Sequence, residues 1–291
     1  FQARVDLTVA LDQHTEILPV HLADCTIDHI LFEEWDAGYV HNQDLLEIVI
    51  PEPFRDQDTT TASIYYSGIL RDDPYFGGMV YHPARDVLYT FGEPYETRYW
   101  LACYDLPFDK FETTEISVIL PDEYRVVSNG VMIGETPVEP DKIRTTWRNT
   151  DPVSSYLVSI AAHPYIKIED GNYGINNASV AYWVYPPDSL LAQSEFARTG
   201  EMIEYFETLF GPYPFNKYDQ AMAPIFNGWG AMEHQTATTY GDRLVQFGER
   251  RFEYIVAHEL GHQWFGDLVS PLTFAHIWLN EGFATYSDAL W

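Results

Sequence analysis

The hydrophobic period of this chain changes once, at Tyr185-Pro186-Pro187-Asp188, and that change restricts the fold more than any other feature. Before it, alternating or β-branched runs such as RVDLTVAL, DLLEIVI, ASIYYSGIL, TEISVIL, TTWRNT and YLVSIAA are separated by turn formers, Ser128-Asn129-Gly130 among them. A period of two buries one face of a strand, and many such runs at regular spacing predict an all-β domain, a sandwich or saddle-shaped sheet, over residues 1–187. After it, Leu190, Leu191, Phe196, Met202, Ile203, Phe206 and Phe210 recur near the helical period, with Asp188 or Ser189 able to cap and Gly211-Pro212 able to stop the helix. Further helices are expected over about residues 250–265 and from about 280 onward, with an extended, turn-rich stretch over 218–240. The pattern therefore predicts an α+β multidomain chain with a second domain over 188–291. A length of 291 residues, beyond what one core usually organises, and an apolar content of 46% suit two domains.

The helix expected over 250–265 contains His258-Glu259-Leu260-Gly261-His262. Spacing of four places both imidazoles on one face, one turn apart, as two zinc ligands require, with Glu259 beside them. A third donor follows in Trp278-Leu279-Asn280-Glu281-Gly282, where Glu281 opens the next helix after a loop able to turn the chain back. Two His and one Glu make a catalytic zinc set: three protein ligands leave the fourth position for water, whose pKa zinc lowers to about 7. Glu259 cannot reach the ion together with both His neighbours, so it is the candidate general base that takes the water's proton and hands it to a leaving amine. Asp267 and Asn280 are candidates for orienting the imidazoles through their free ring nitrogens, although a plain place at a helix C-terminus accounts for Asp267 equally well.

Charge excludes one class of partner. With 44 acidic against 16 basic residues the net charge is -28, and such a surface repels nucleic acid while attracting cations, free amino termini included. Abundant carboxylates with few lysines also suit a chain kept soluble in high salt. No apolar run is long enough for a membrane-spanning helix, and the residues from Phe1 lack the plan of a signal peptide. Cys25 and Cys103 are too few for a disulfide framework or a cysteine zinc site and read as two free thiols, with a single bridge between them left open.

Upstream of the two histidines stands Gly228-Trp229-Gly230-Ala231-Met232-Glu233-His234. This segment, the His-Glu-x-x-His helix and the later Glu, in that order, resemble the aminopeptidase N family of gluzincin metallopeptidases, which includes leukotriene A4 hydrolase and carries a GAMEN strand. The likeness extends to Glu93-Pro94 and to Arg98 through Trp100-Leu101-Ala102-Cys103-Tyr104-Asp105-Leu106-Pro107, which match the family's segment around FPCFDEP. The resemblance implies the truncated first part of a thermolysin-like zinc peptidase domain, one Zn2+ per chain, and removal of the N-terminal residue from peptides. Gly230 and Ala231, with little side chain, and Met232 would let a substrate backbone pair with an exposed strand. By resemblance Glu233 binds the substrate's α-amino group, with Glu93 aligned beside it. An internal peptide nitrogen would leave both carboxylates buried and unpaired, at a cost of several kcal/mol, so chain ends are selected.

Three positions depart from the family pattern. His234 replaces the Asn of GAMEN and, if it titrates near neutral pH, would weaken amine binding when protonated. Phe91 stands where a Gln is usual, and Asp267 where WFGN ends in Asn. The family draws an oxyanion-stabilising Tyr and a closing C-terminal helical domain from further along its chain, so these residues alone are expected to be weakly active or inactive. Competing readings are an endopeptidase, an epoxide hydrolase, and a non-catalytic scaffold that binds partners through the β domain. Side-chain preference and compartment stay open.

Overall fold

The structure, a computed structural model, describes residues 1–11, 14–55, 57–71, 73, 75 and 77–291. Its first part is built from antiparallel sheets. One contains, in spatial order, Gln2–Ala10, Thr59–Gly68, Cys25–Phe32 and Trp35–Asp36, and a second Ile17–His21, Leu45–Val49 and Tyr39–Asn42. Burial alternates residue by residue along Gln2–Ala10, as the period of two requires. These two sheets close over Leu18, Val20, Ile30, Phe32, Leu46, Ile48 and Ile64. The third sheet is Thr114–Pro121, Lys142–Asn149 and Val131–Glu139, and the fourth is Arg125–Ser128, Ile160–His163, Val87–Phe91 and Gly78–His82.

A second, larger core starts in that fourth sheet, at Val87 and Tyr89, and runs through Trp147, Tyr182, Phe206 and Tyr240 to Val256 and Leu260. It wraps a five-stranded sheet of Ile166–Tyr173, Ala178–Val184, Lys217–Ala223, Ala237–Gly241 and Ala231–Met232, in that order. The two inner pairings are parallel and the two outer ones antiparallel. Lys217–Ala223 and Ala237–Gly241 are buried at every position, as strands covered on both faces must be. The sheet takes its first two strands from before Pro186-Pro187 and its other three from after it. The change of period thus marks a change of element type inside one packed unit.

The helix expected from 189 to 210 is two helices, Ser189–Glu195 and Thr199–Phe210. The break lets Glu195 turn inward, where its carboxylate accepts a hydrogen bond from the Phe252 N–H at 3.1 Å. Asp188 does not cap; it accepts from Gln246 Nε2 at 2.8 Å, a residue of the unexpected helix Asp242–Phe247. The two helices that matter for chemistry are Glu253–His262, shorter than expected at both ends, and Trp278–Leu290. They touch at Gly261, where a Cβ would lie 2.8 Å from the Ser287 Cβ. Absence of a side chain there sets how near Glu281 comes to the histidines.

Candidate metal centre and substrate strand

His258 and His262 present their Nε2 atoms to each other at 3.1 Å. Glu281 completes the triangle, with Oε2 3.3 Å from His258 Nε2 and Oε1 3.6 Å from His262 Nε2. A tetrahedral zinc with bonds of about 2.0–2.2 Å holds its donor atoms about 3.3–3.6 Å apart; both Glu281 distances fall in that range and the 3.1 Å between the imidazoles lies just below it. The ring orientations fit as well. His262 Nδ1 donates to the Phe265 carbonyl at 3.2 Å, and His258 Nδ1 lies 3.3 Å from Asp288 Oδ2. Both acceptors hold the proton on Nδ1 and turn the Nε2 lone pairs inward, where only a cation or a shared proton can separate them. Burial, reinforced by His258, pushes His262 down to about 4. Burial acts the same way on His258 but is outweighed by Glu281 and Asp288, which draw it toward the charged form. Burial opposes ionisation of Glu281, yet the two imidazoles hold it below its ordinary value.

The expectation that Asp267 and Asn280 orient the imidazoles is corrected: their side chains bond elsewhere. Asp267 Oδ2 accepts from Gln263 Nε2 at 2.7 Å, and Asn280 Nδ2 donates to the Tyr156 hydroxyl at 3.1 Å. Gln263, which sequence reasoning missed, fastens the segment after Ala231–Met232 to the end of the helix Glu253–His262. Its Nε2 also donates to the Glu233 carbonyl at 3.1 Å, and its Oε1 accepts from the Thr236 N–H at 3.0 Å. Asp267 thus acts on that segment through Gln263. Asp288 was missed too, although its spacing of seven from Glu281 puts both on one helix face.

Glu259 is buried beside this cluster. Burial first, then Glu233 and Glu281, push its carboxyl well above the ordinary value. Ligand atoms of Glu233, Glu259 and His262 all lie within 4.8 Å of one another. Glu233 Oε1, 3.9 Å from His262 Nδ1, and Glu259 Oε2 are buried and accept no hydrogen bond among the described residues. Burial and Glu281 push Glu233 up to about 7. Half-buried Glu93, in the loop after Val87–Phe91, is pushed up to about 8 by burial and then by Glu233 and Glu281, which places it within electrostatic reach of both.

Ala231–Met232 is the edge strand of the five-stranded sheet, antiparallel to Ala237–Gly241, with Met232 buried and Ala231 half-buried. Its free edge suits pairing with an extended chain. Gly230 has a different reason from the one expected. A Cβ there would lie 2.8 Å from Cγ of Phe226, so the protein's own ring fills the space. That ring packs edge-on against Phe91, centroids 5.0 Å apart. His234 is fully buried, its Nδ1 3.0 Å from Thr239 Oγ1, and burial pushes it down to about 3. It therefore stays neutral at physiological pH, contrary to the expectation that it titrates there.

Residues 194–291 match the profile of the peptidase family M1 domain and residues 1–157 that of the peptidase M1 N-terminal domain. The chain belongs to peptidase family M1. It is 27% identical to the glutamyl aminopeptidase of Bos taurus over all of this chain and 32% of that protein. It is 34% identical to the aminopeptidase N of Streptomyces lividans over 69% of this chain and 24% of that one. Among solved structures, an M1 zinc metallopeptidase of Deinococcus radiodurans bound to a Tyr-Ser-Ala substrate shares the fold, with a TM-score of 0.83 and 24% identity over 100% of this chain and 66% of that one. The chain thus spans about a third or less of the length of these curated relatives. None of the helices described is long and apolar enough to cross a membrane.

Proposed function

We propose that these residues form the metal- and amine-binding part of a zinc-dependent aminopeptidase. One observation carries the reading: Glu233 follows a sheet-edge strand directly and its carboxylate stops 3.9 Å from a histidine of the metal cluster. A substrate backbone pairing with Ala231–Met232 would run into Glu233. Glu233 and Glu93 would take its ammonium group, which leaves the first peptide carbonyl beside the cluster. An internal segment has no charge to offer there, and that is the basis of exopeptidase selectivity. The names of the relatives agree with this reading.

His258, His262 and Glu281 would hold one zinc per chain. When bound, zinc supplies a Lewis acid that polarises the carbonyl and brings the pKa of a water near 7. Glu259 would accept a proton from water at this centre and deliver it to the departing amine; burial and the neighbouring carboxylates raise its proton affinity. Asp288 and the Phe265 carbonyl keep the imidazoles oriented throughout. In this division of labour residues 1–187 supply Glu93 and the anchors of the substrate strand, and 188–291 the metal and the base.

Hydrolysis of aminoacyl anilides by the zinc-loaded full-length protein, set against their N-acetylated forms, tests the proposal. Cleavage confined to the free amines is expected. Equal cleavage of blocked substrates would favour an endopeptidase, and stoichiometric absence of zinc would favour a scaffold.

A further inference from the structure

The segment 229–233 and the helix Glu253–His262 lie side by side and run the same way. At one end Trp229 meets Phe252 edge-on, ring centroids 6.2 Å apart; at the other the Glu233 carbonyl accepts from Gln263 at 3.1 Å. A peptide whose amino group is held at Glu233 and whose backbone pairs with Ala231–Met232 must therefore continue past Gly230 toward Trp229. An extended chain advances about 3.3 Å per residue, so about its fourth or fifth residue comes to Trp229.

The surface waiting there is cationic on a chain that is otherwise acidic. Arg243, Arg250 and Arg251, three of only 16 basic residues, fall between 243 and 251. Trp229 and Phe247 are each 47% exposed, so both rings are open to a ligand. The Arg243 guanidinium lies 5.9 Å from the Trp229 ring centroid, its stem packed against bare Gly228, and the Arg251 guanidinium lies 4.6 Å from that of Phe247. Phe247 meets Phe252 at 5.6 Å, which joins the two cations into one patch. The neighbouring carboxylates have cations of their own: Asp242 has Arg85 at 3.1 Å and Glu253 has Arg198 at 2.9 Å. Glu249, exposed in the same turn, leaves the group net positive. Among the described residues neither Arg243 nor Arg251 has a carboxylate at salt-bridge distance.

We propose that Trp229, Arg243 and Arg251 form a distal subsite for an acidic side chain carried about four or five residues from the substrate's amino end. The inference rests on the amine-binding reading of Glu233, which fixes the direction in which the peptide leaves. Two guanidiniums beside aromatic rings suit a planar carboxylate together with the apolar stem that bears it. With a net charge of -28 the rest of the surface repels an acidic peptide, so attraction is confined to this patch and sets the register of the chain on the strand. Contacts so far from the reacting bond are the same in ground and transition states and therefore act on KM, not on kcat.

The test compares C-terminally amidated hexapeptides that share every residue except the fourth and fifth, both Asp in one and both Lys in the other, on the zinc-loaded full-length protein. KM is expected to be lower by about threefold or more for the Asp peptide at equal kcat, and the gap should close in molar salt. Equal KM values overturn the proposal even where selectivity for free amines is intact. The preference should reverse in Arg243→Glu with Arg251→Glu and persist in Arg243→Lys with Arg251→Lys; a preference unchanged in the Glu pair places the contact elsewhere and overturns the assignment. A second measurement needs no turnover: the Asp peptide, dye-labelled at its C-terminus, should bind by fluorescence anisotropy and lose affinity in the Glu pair. Binding that survives N-acetylation but still depends on both arginines, with blocked substrates cleaved equally, would remove the aminopeptidase reading and leave the carboxylate subsite standing.

Discussion

His258 and His262 approach through Nε2 at 3.1 Å while their Nδ1 atoms are tied to different acceptors, a carboxylate for one and a backbone carbonyl for the other. The Phe265 carbonyl cannot be mutated away, but Asp288 can. Removing it in Asp288→Ala frees the His258 ring to change tautomer, and zinc affinity should fall about 10–100-fold. Competition with a chromophoric chelator measures this, and an unaltered affinity would refute the orienting role.

Glu259→Gln keeps the shape and burial of the side chain and abolishes its ability to take a proton. Activity should fall by about 10²–10⁴-fold with zinc content unchanged, since the side chain is not a ligand in the proposed set. Metal analysis run beside the kinetics separates the two effects. Loss of zinc in this variant would reassign Glu259 to the metal.

Gly230→Ala should destabilise the protein by about 1–3 kcal/mol, because the added methyl meets the Phe226 ring and not open space. Trimming that ring, in the double variant Gly230→Ala with Phe226→Leu, should recover part of the loss in urea unfolding. A substrate-access role alone predicts no loss of stability at all.

Glu233 and Glu93, raised from 4.5 to about 7 and about 8 by burial first and then by neighbouring carboxylates, keep their protons in the folded metal-free protein at a pH where the unfolded chain has released them. Proton uptake on folding means that their contribution to stability is fully present below pH 4.5 and is lost as pH rises through about 7 and about 8. The Tm of the zinc-free protein should decline across that window, and Glu233→Gln should flatten the decline. A Tm that climbs in both proteins would contradict the proton accounting.

Strands such as Gln2–Ala10 and Thr114–Pro121 were legible because their burial alternates with the period of two. That His258, His262 and Glu281 come together was legible because a spacing of four sets two imidazoles on one helix face and the loop before Glu281 can turn the chain back. Other features depend on contacts far apart in sequence. Nothing local in Ile166–Tyr173 or Ala178–Val184 tells that they join a sheet completed after residue 217; that is decided by the parallel pairing of Ser179 with Lys217 and Trp183 with Ala221. Gly230 read as room for substrate because the Phe226 ring, in a residue whose φ of 48° is hard to foresee, is visible only in three dimensions. Asp267 read as a partner of imidazole because a carboxylate near a ligand helix suggests one, whereas Gln263, one turn away, claims it.

The turn that follows Glu233 is held from the β region: Asn129 Nδ2 donates to the Gln235 carbonyl at 2.7 Å, and the Gly130 N–H donates to Thr236 Oγ1 at 2.8 Å. Those two bonds make the segments 128–130 and 234–236 a unit of inheritance. A recombinant spliced at Pro186-Pro187 from two divergent relatives would unite a hairpin with a socket shaped for another, and its selectivity would change although every ligand and the base had come from a single parent.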